Sequence, residues 1–541
     1  MKKKFDFIII GGGSSGIVAA SEIISKLNAT VLVIEEGAPD WHPLIKMPAG
    51  FVSFLNKGKF VKHYKTIPQK QLNGRSHYIT QASILGGGSS INGMVYMRGR
   101  PSDYDEWSKS TKEKNWSYQS MLPYFKLVED NNRFYNENHG TGGGLKVSDS
   151  GHTCDLTKIY VKTMQGMGHL FNPDFNSGNQ RGVGYMQSTI DHGVRCNVIK
   201  AFLSKNKFKK FLTISTKSKA TKIIFKNDKA IGVEFYKNNI KNTVYSNNEI
   251  ILTAGSFNSP KLLMLSGIGD EEELAKHSIQ KVFISKGVGK NLQDHHEVPV
   301  IAKTKPGYGY FGQDKGFKML KNGLQYLLFK DGPVTSIGCD SCTFLNPDKS
   351  IDDYSEEPSI KLYCVPNVYL DKDVKDIGQF DGVTLNACLM RPKSRGEIKL
   401  KSSDPKDTPL LNPNYLSHKD DIRLQISAFK YSREILNYKP LNEIVIDEIF
   451  PGKSIKSDED ILNHCKKSIK TNWHPVGTCK MGTDKDIYAV CDTNLRVKGV
   501  KGLRIFDASS FPNLVAGNTN APVIAFALKA VNELINEYKS N

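Results

Sequence analysis

The chain has 541 residues, 39% of them apolar and 24% charged, a balance that excludes disorder as the main state and a length that allows two or three domains around a large core. Its net charge of +19 raises nucleic acid as a partner, but the lysines are spread along the chain in short runs such as Lys2-Lys3-Lys4, so nucleic acid is set aside. No apolar stretch reaches membrane-span length, the best being Pro522 to Val531, and no transmembrane segment is expected.

In chain order, Phe5 to Ile10 is a short, almost wholly apolar run, the pattern of a parallel strand covered on both faces, and it opens into Gly11-Gly12-Gly13-Ser14-Ser15-Gly16. The lysines ahead of it do not make an export leader, because the run holds Asp6 and ends in glycines. Ile17, Ala20, Ile24 and Leu27 fall three or four apart and predict a helix with one apolar face, after which Thr30 to Ile34 reads as a second strand ending at Glu35. Residues 40–145, rich in Gly, Ser, Tyr and Trp, predict loops and short helices. Strands are expected at Lys222 to Phe225, Ile231 to Phe235 and Ile250 to Thr253. Residues 300–465 carry scattered strands and amphipathic stretches such as Leu424 to Leu436, suiting a separate domain. Pro522 opens a last helix whose Ile524, Leu528, Val531 and Ile535 form a packing stripe.

Nine scattered cysteines, an odd number, predict reduced thiols and a cytoplasmic protein, free or at the periphery of the inner membrane. Cys339 and Cys342 lack the second pair or nearby histidine that zinc would need, so no metal is assigned. With no repeat or long linker, the domains are expected to interleave.

Gly11, Gly13 and Gly16 fit GxGxxG between strand and helix, with Glu35 nineteen positions past Gly16 at the end of the second strand. Gly11 permits the tight turn, Gly13 lets backbone approach a pyrophosphate, Gly16 lets helix and strand pack, and the helix N-terminus at Ser14 and Ser15 favours negative charge. Glu35 can accept hydrogen bonds from ribose hydroxyls and repels a 2′-phosphate. The complete unit predicts a bound dinucleotide.

Three further motifs carry a resemblance. They are Leu85-Gly86-Gly87-Gly88-Ser89-Ser90-Ile91-Asn92-Gly93-Met94-Val95; Gly255 to Pro260, continuing to Ser266-Gly267-Ile268-Gly269; and His474-Pro475-Val476-Gly477-Thr478-Cys479-Lys480-Met481-Gly482 with Gly502 to Ser509 and Gly517 to Pro522. On these the chain resembles the glucose-methanol-choline (GMC) flavin oxidoreductases from its first strand to its last helix. The resemblance implies FAD as the cofactor. Gly86, Gly87, Ser90, Asn92, Gly93, Met94 and Val95 would wrap the flavin and pyrophosphate, Asp507 and Ala508 would meet the pyrophosphate and ribityl chain, and Asn520 with Pro522 the flavin ring. Ala82 and Ser83 replace the family's usual Gly and basic residue, and Ile91 stands where some relatives carry a flavin-linking histidine, so FAD is expected to be non-covalent.

The chemistry is placed on His474. Alcohol oxidation by a flavin requires loss of the hydroxyl proton while a hydride leaves the adjacent carbon, and an imidazole suits the first task. Pro475 holds the backbone at His474 extended. Asn518 resembles the family's second active-site position and would donate a hydrogen bond to the developing alkoxide. Trp473 would wall the pocket by resemblance, Tyr363 is a further candidate pocket aromatic, and Asp340 lies where relatives commonly carry Glu, able to pair with a substrate cation such as choline. His295-His296 falls in a family turn matching Asn291 to His295 and is read as structural.

The expected fold is α/β, a Rossmann-like FAD-binding domain (1–155, 200–300 and 468–541) interleaved with an α+β substrate domain (156–199 and 301–467) whose antiparallel sheet roofs the flavin. The expected function is FAD-dependent oxidation of a primary alcohol, choline-like substrates included, to the aldehyde, with electrons passed to a quinone-type or other acceptor. The rivals are an oxidase giving electrons to O2 and forming peroxide, the family's lyase or light-driven decarboxylase branch, and a cofactor-binding protein without turnover. A monomer or homodimer is expected.

Overall fold

The computed structural model describes residues 3–371 and 374–540. Two large sheets organise the chain. In the first, the strands Leu212–Ser215, Val31–Ile34, Lys4–Ile10, Ile240–Leu252 and Leu503–Ile505 lie side by side and parallel. All four residues of Val31–Ile34 are buried, as a strand covered on both faces requires. The helix Ser14–Leu27 covers one face and packs against the last helix, Asn520–Ser540, whose apolar stripe is buried as the sequence leads one to expect.

Ile240–Leu252 runs thirteen residues where the sequence suggests only its last few. Its polar first half pairs antiparallel with Lys229–Lys237, which pairs in turn with Ser218–Lys226, forming a flap half-open to solvent. With one face wet, Lys241, Asn242 and Thr243 hide the strand from a search for apolar runs.

The second sheet is antiparallel, in the order Val445–Phe450, His296–Thr304, Gly382–Leu389, Ile360–Val365, Ser341–Leu345 and Gly182–Tyr185. His296–Thr304 straddles the boundary expected at residue 300, and its first residues pair with Lys470–Thr471. The helix Lys419–Leu436 lies on one face of this sheet, burying Ala428 and Phe429 in the same core as Ile360, Leu362 and Cys364. The alternate residues Lys361, Tyr363 and Val365 face the other way, into a cavity between the two sheets. The expected α/β architecture with an antiparallel sheet over a dinucleotide-type fold is the one observed.

Candidate active site

The cavity has a volume of about 2070 Å³, larger than the roughly 300–1,000 Å³ of an ordinary small-molecule pocket. One end is built by the glycine turns. Gly11 has φ +108°, and a Cβ there would lie 2.3 Å from the Thr253 carbonyl oxygen. Gly87 has φ +53°, and a Cβ there would lie 2.7 Å from Gly13 Cα, so two glycine turns meet back to back, tied by Gly86 N–H donating to Gly12 C=O at 2.7 Å. Arg195, which the sequence reading passes over, fixes the second turn by donating to Asn92 Oδ1 at 2.7 Å and Ser89 C=O at 3.2 Å.

The helices Ser14–Leu27 and Asn520–Ser540 both begin at this cavity, joined by Ser14 Oγ donating to Asn520 Oδ1 at 3.0 Å. Neither has an acid in its first turn, and no side chain caps the first. Their N-termini leave backbone N–H groups and positive dipole ends for an anion. Glu35 accepts from Gly12 N–H at 2.8 Å and Gly37 N–H at 2.6 Å, and burial pushes its carboxyl up to about 7. Each oxygen keeps a lone pair for a ribose hydroxyl. Asp507 accepts from Gly255 N–H at 2.9 Å, Ser259 Oγ at 2.6 Å and Ser509 N–H at 2.8 Å, pinning the helix Gly255–Leu265 to the turn after Leu503–Ile505.

At the other end lies a chain of polar side chains. Lys361 Nζ donates to Asn518 Oδ1 at 2.9 Å, and Asn518 Nδ2 is 3.2 Å from His474 Nε2. His474 Nδ1 is 2.9 Å from His295 Nδ1, and His295 Nε2 is 3.0 Å from the Met390 carbonyl oxygen. Burial holds His295 down at about 3 and His474 well below the usual imidazole range, His295 and Lys361 adding to the second effect. Both rings are therefore neutral at pH 7, and the protons can be assigned from the fixed ends. The Met390 carbonyl can only accept, so His295 carries its proton on Nε2 and accepts on Nδ1. His474 must then donate from Nδ1, which leaves Nε2 with a free lone pair. Lys361 can only donate, so Asn518 turns its oxygen to Lys361 and its N–H toward that lone pair.

The backbone holds this arrangement. His474 N–H donates to Asp294 Oδ1 at 2.8 Å, while Thr471 Oγ1 at 2.6 Å and Tyr415 at 2.5 Å donate to the other oxygen. Trp473 adopts φ +59°, a conformation that strains a bulky residue by about 1–3 kcal/mol. Trp473 N–H donates to Thr471 Oγ1 at 2.7 Å across the bend.

Among the expected site residues, His474, Asn518, Trp473, Tyr363, Gly11, Gly13, Ser14, Ser15, Glu35, Gly87, Asn92, Gly93, Met94, Val95, Asp507, Ala508 and Asn520 all line the one cavity. Gly16, Gly86, Ser90 and Pro522 lie behind its wall. A Cβ on Gly16 would fall 2.0 Å from Gly11 C=O, and Ser90 Oγ donates to Leu85 C=O at 2.9 Å, so these residues shape the turns. Asp340 is the exception. It does not face the cavity, because its two oxygens accept from Ser150 Oγ at 2.6 Å and Ser336 Oγ at 2.9 Å inside the protein. Tyr363 faces the cavity with its ring while its hydroxyl donates to buried Glu297.

The sequence reading missed Lys361 and took His295 for a structural turn. The signal for Lys361 was a lone cation in the apolar strand Ile360–Val365.

A doubly wound fold with two glycine turns, two helix N-termini, an acid at the end of the second strand and an imidazole at the far end of one cavity defines a dinucleotide-dependent oxidoreductase. The family models of the GMC oxidoreductases match residues 5–297 and 392–527. The chain belongs to the GMC oxidoreductase family. It is 38% identical to an alcohol dehydrogenase [acceptor] of Pseudomonas putida over 98% of this chain and 96% of that one. It is 36% identical to an oxygen-dependent choline dehydrogenase of Brucella anthropi over 98% and 95%. Among solved structures, a pyridoxine 4-oxidase from Mesorbium loti superposes with TM-score 0.89 at 27% identity over 99% of both chains. A formate oxidase of Aspergillus oryzae, in a variant studied for FAD modification, superposes with TM-score 0.90 at 26% identity over 99% of both.

FAD is the cofactor of this fold, and the residues fit it. The anion-binding helix ends would receive the pyrophosphate, and Glu35 the ribose. Gly93 and Gly255, where a Cβ would meet nothing within 4 Å, leave a smooth wall. Ile91 lines the cavity with a hydrocarbon side chain that cannot form a covalent link.

Proposed function

We propose that the chain oxidises a primary alcohol to the aldehyde, with residues 1–155, 200–300 and 468–541 holding FAD and the remainder shaping the substrate pocket. Bound FAD supplies the two-electron acceptor that takes the hydride from the carbinol carbon. The single observation that carries this reading is the free lone pair on His474 Nε2, fixed from one side by His295 and met from the other by Asn518. A hydroxyl entering between His474 and Asn518 gives its proton to Nε2. The Asn518 N–H then turns to the oxygen, on which negative charge grows, and the Lys361 ammonium behind it adds attraction.

Lys361 also speaks to substrate class. A quaternary ammonium bound roughly 5 Å from it would cost about 3 kcal/mol at an effective dielectric of ~20. Asp340, just ahead of the neighbouring strand Ser341–Leu345, is turned inward and does not offset that cost. The substrate is thus a neutral or anionic alcohol, and choline is disfavoured. Trp473, Tyr363 and Val365 give it an aromatic and aliphatic wall.

The electron acceptor is read as external, following the 38%-identical relative named for an acceptor. The test is an anaerobic screen of aliphatic, aromatic, hydroxy-acid and choline substrates, following bleaching of the flavin. Dye reduction and peroxide release are then compared in air. Absence of bleaching with every alcohol overturns the reading, and stoichiometric peroxide moves the chain to the oxidases.

A further inference from the structure

The helix Gly316–Phe329 is turned inside out. At 100° per residue, Phe317, Leu320, Leu324, Leu327 and Leu328 share an arc of about 100°. Every one of them is open to solvent, Phe317 at 81%, Leu327 at 67% and Leu328 at 71%. The buried residues, Asn322 and Tyr326, lie on the opposite side, where Asn322 donates to Gln313 at 3.0 Å. Single exposed leucines are ordinary, but four leucines and a phenylalanine on one stripe are not.

Charge and position say what covers the stripe. Lys318 and Lys321 flank it on one side, Lys315 and Lys330 stand at its two ends, and neither Lys318 nor Lys321 forms an ion pair among the described residues. Fourteen residues make a rod about 21 Å long that can lie flat. The opposite face roofs the cavity through Met319, Asn322 and Gly323. A second copy of the chain would bring lysines against lysines, whereas an anionic lipid surface matches both the apolar stripe and its cationic border. Among the described residues, no helix is long and apolar enough to cross a membrane, so the arrangement suits a surface and not a span.

We propose that Gly316–Phe329 docks the protein on an anionic bilayer, its leucine stripe sunk at the headgroup boundary and the rim of the cavity beside it. This places the mouth of the cavity where lipid-soluble alcohols and acceptors are concentrated. The inference stands on the helix and does not depend on which alcohol is oxidised.

The test uses the full-length FAD-loaded protein, sedimented with vesicles of phosphatidylcholine alone or mixed with phosphatidylglycerol. Wild type is expected to follow the mixed vesicles about tenfold better than the neutral ones, less so as salt rises. The double variant Leu324→Glu/Leu327→Glu is expected to stay in solution at every composition. Both side chains point to solvent and neither lines the cavity, so its flavin content and its rate with a water-soluble alcohol and dye remain those of wild type. Lys318→Glu/Lys321→Glu is expected to lose the preference for anionic vesicles. Wild type that ignores both vesicle types overturns the proposal, as does vesicle binding unchanged in the leucine variant. A wild-type dimer that the leucine variant dissolves, without vesicle binding, assigns the stripe to a second copy and overturns it too.

Discussion

Lys361 Nζ stands 2.9 Å from Asn518 Oδ1, and this one contact decides which way the amide faces. With its oxygen held by the ammonium, Asn518 has only N–H to offer His474 Nε2 at 3.2 Å. The same ammonium helps keep the imidazole unprotonated.

Removing that cation is expected to move the pH profile. In wild type the folded His474 lies well below its ordinary value, so kcat/KM is level through neutral pH and falls only in acid, where Nε2 becomes protonated. In Lys361→Met the acid limb shifts upward, toward but not past the ordinary imidazole value, because burial still depresses it. Steady-state profiles of the two proteins from acid to neutral pH check the direction.

The same substitution should change selectivity. The ratio of kcat/KM for choline to that for its uncharged isostere, 3,3-dimethylbutan-1-ol, is expected to rise about 100-fold in Lys361→Met, the equivalent of the ~3 kcal/mol repulsion removed. An unchanged ratio would place the substrate's distal group away from this lysine.

His474→Ala is expected to slow flavin reduction by about 10²–10⁴ while FAD stays bound, the range for loss of a general base. Asn518→Ala is expected to cost about 10²–10³, the range for one donor to a developing oxyanion. Stopped-flow bleaching under anaerobic conditions separates both from effects on later electron transfer.

His295 acts through His474. His295→Leu orphans His474 Nδ1 and frees the ring to exchange tautomers, with an expected loss of about 10–100-fold in reduction rate. His295→Gln keeps an acceptor for Nδ1 and should recover part of it. Nitrogen NMR of His474 gives a readout that a general loss of packing does not mimic, since the Nε2 signal is expected to report a mixture of tautomers only in the leucine variant.

Gly87→Ala sets a Cβ against Gly13 at a positive φ and is expected to weaken FAD binding without unfolding the antiparallel sheet. Titration of the apoprotein with FAD, read by quenching of flavin fluorescence, measures the loss. In wild type, acid precipitation is expected to release all the flavin to the supernatant, because Ile91 offers no atom for a covalent bond.

Some of this site was open to reading from the chain and some was closed, for physical reasons. Gly11, Gly13 and Glu35 are legible because their spacing is dictated by a local strand-turn-helix unit. His474 and Asn518 were found through motifs that keep their order in the chain. The partnership of His474 with His295 spans 179 positions and depends on how Lys470–Thr471 pairs with His296–Thr304, which no local pattern records. Asp340 failed in the opposite way, since its segment was placed correctly beside the cavity but its side chain turned to Ser150 and Ser336. The stripe on Gly316–Phe329 has the periodicity of any amphipathic helix. Sequence alone gives no sign that its apolar side faces outward.

The strand Ile360–Val365 divides its work by parity. Even-numbered residues are locked into the packing beneath Lys419–Leu436, whereas Lys361, Tyr363 and Val365 line the space where a substrate sits, Lys361 held to Asn518 and the Tyr363 hydroxyl to Glu297. Replacement at Val365 can therefore change which alcohol is accepted while the scaffold is left intact, whereas Lys361 also sets Asn518 and Tyr363 also holds Glu297. A laboratory seeking a new specificity has at Val365 a dial on one rigid rod that stands apart from the imidazole and its partners.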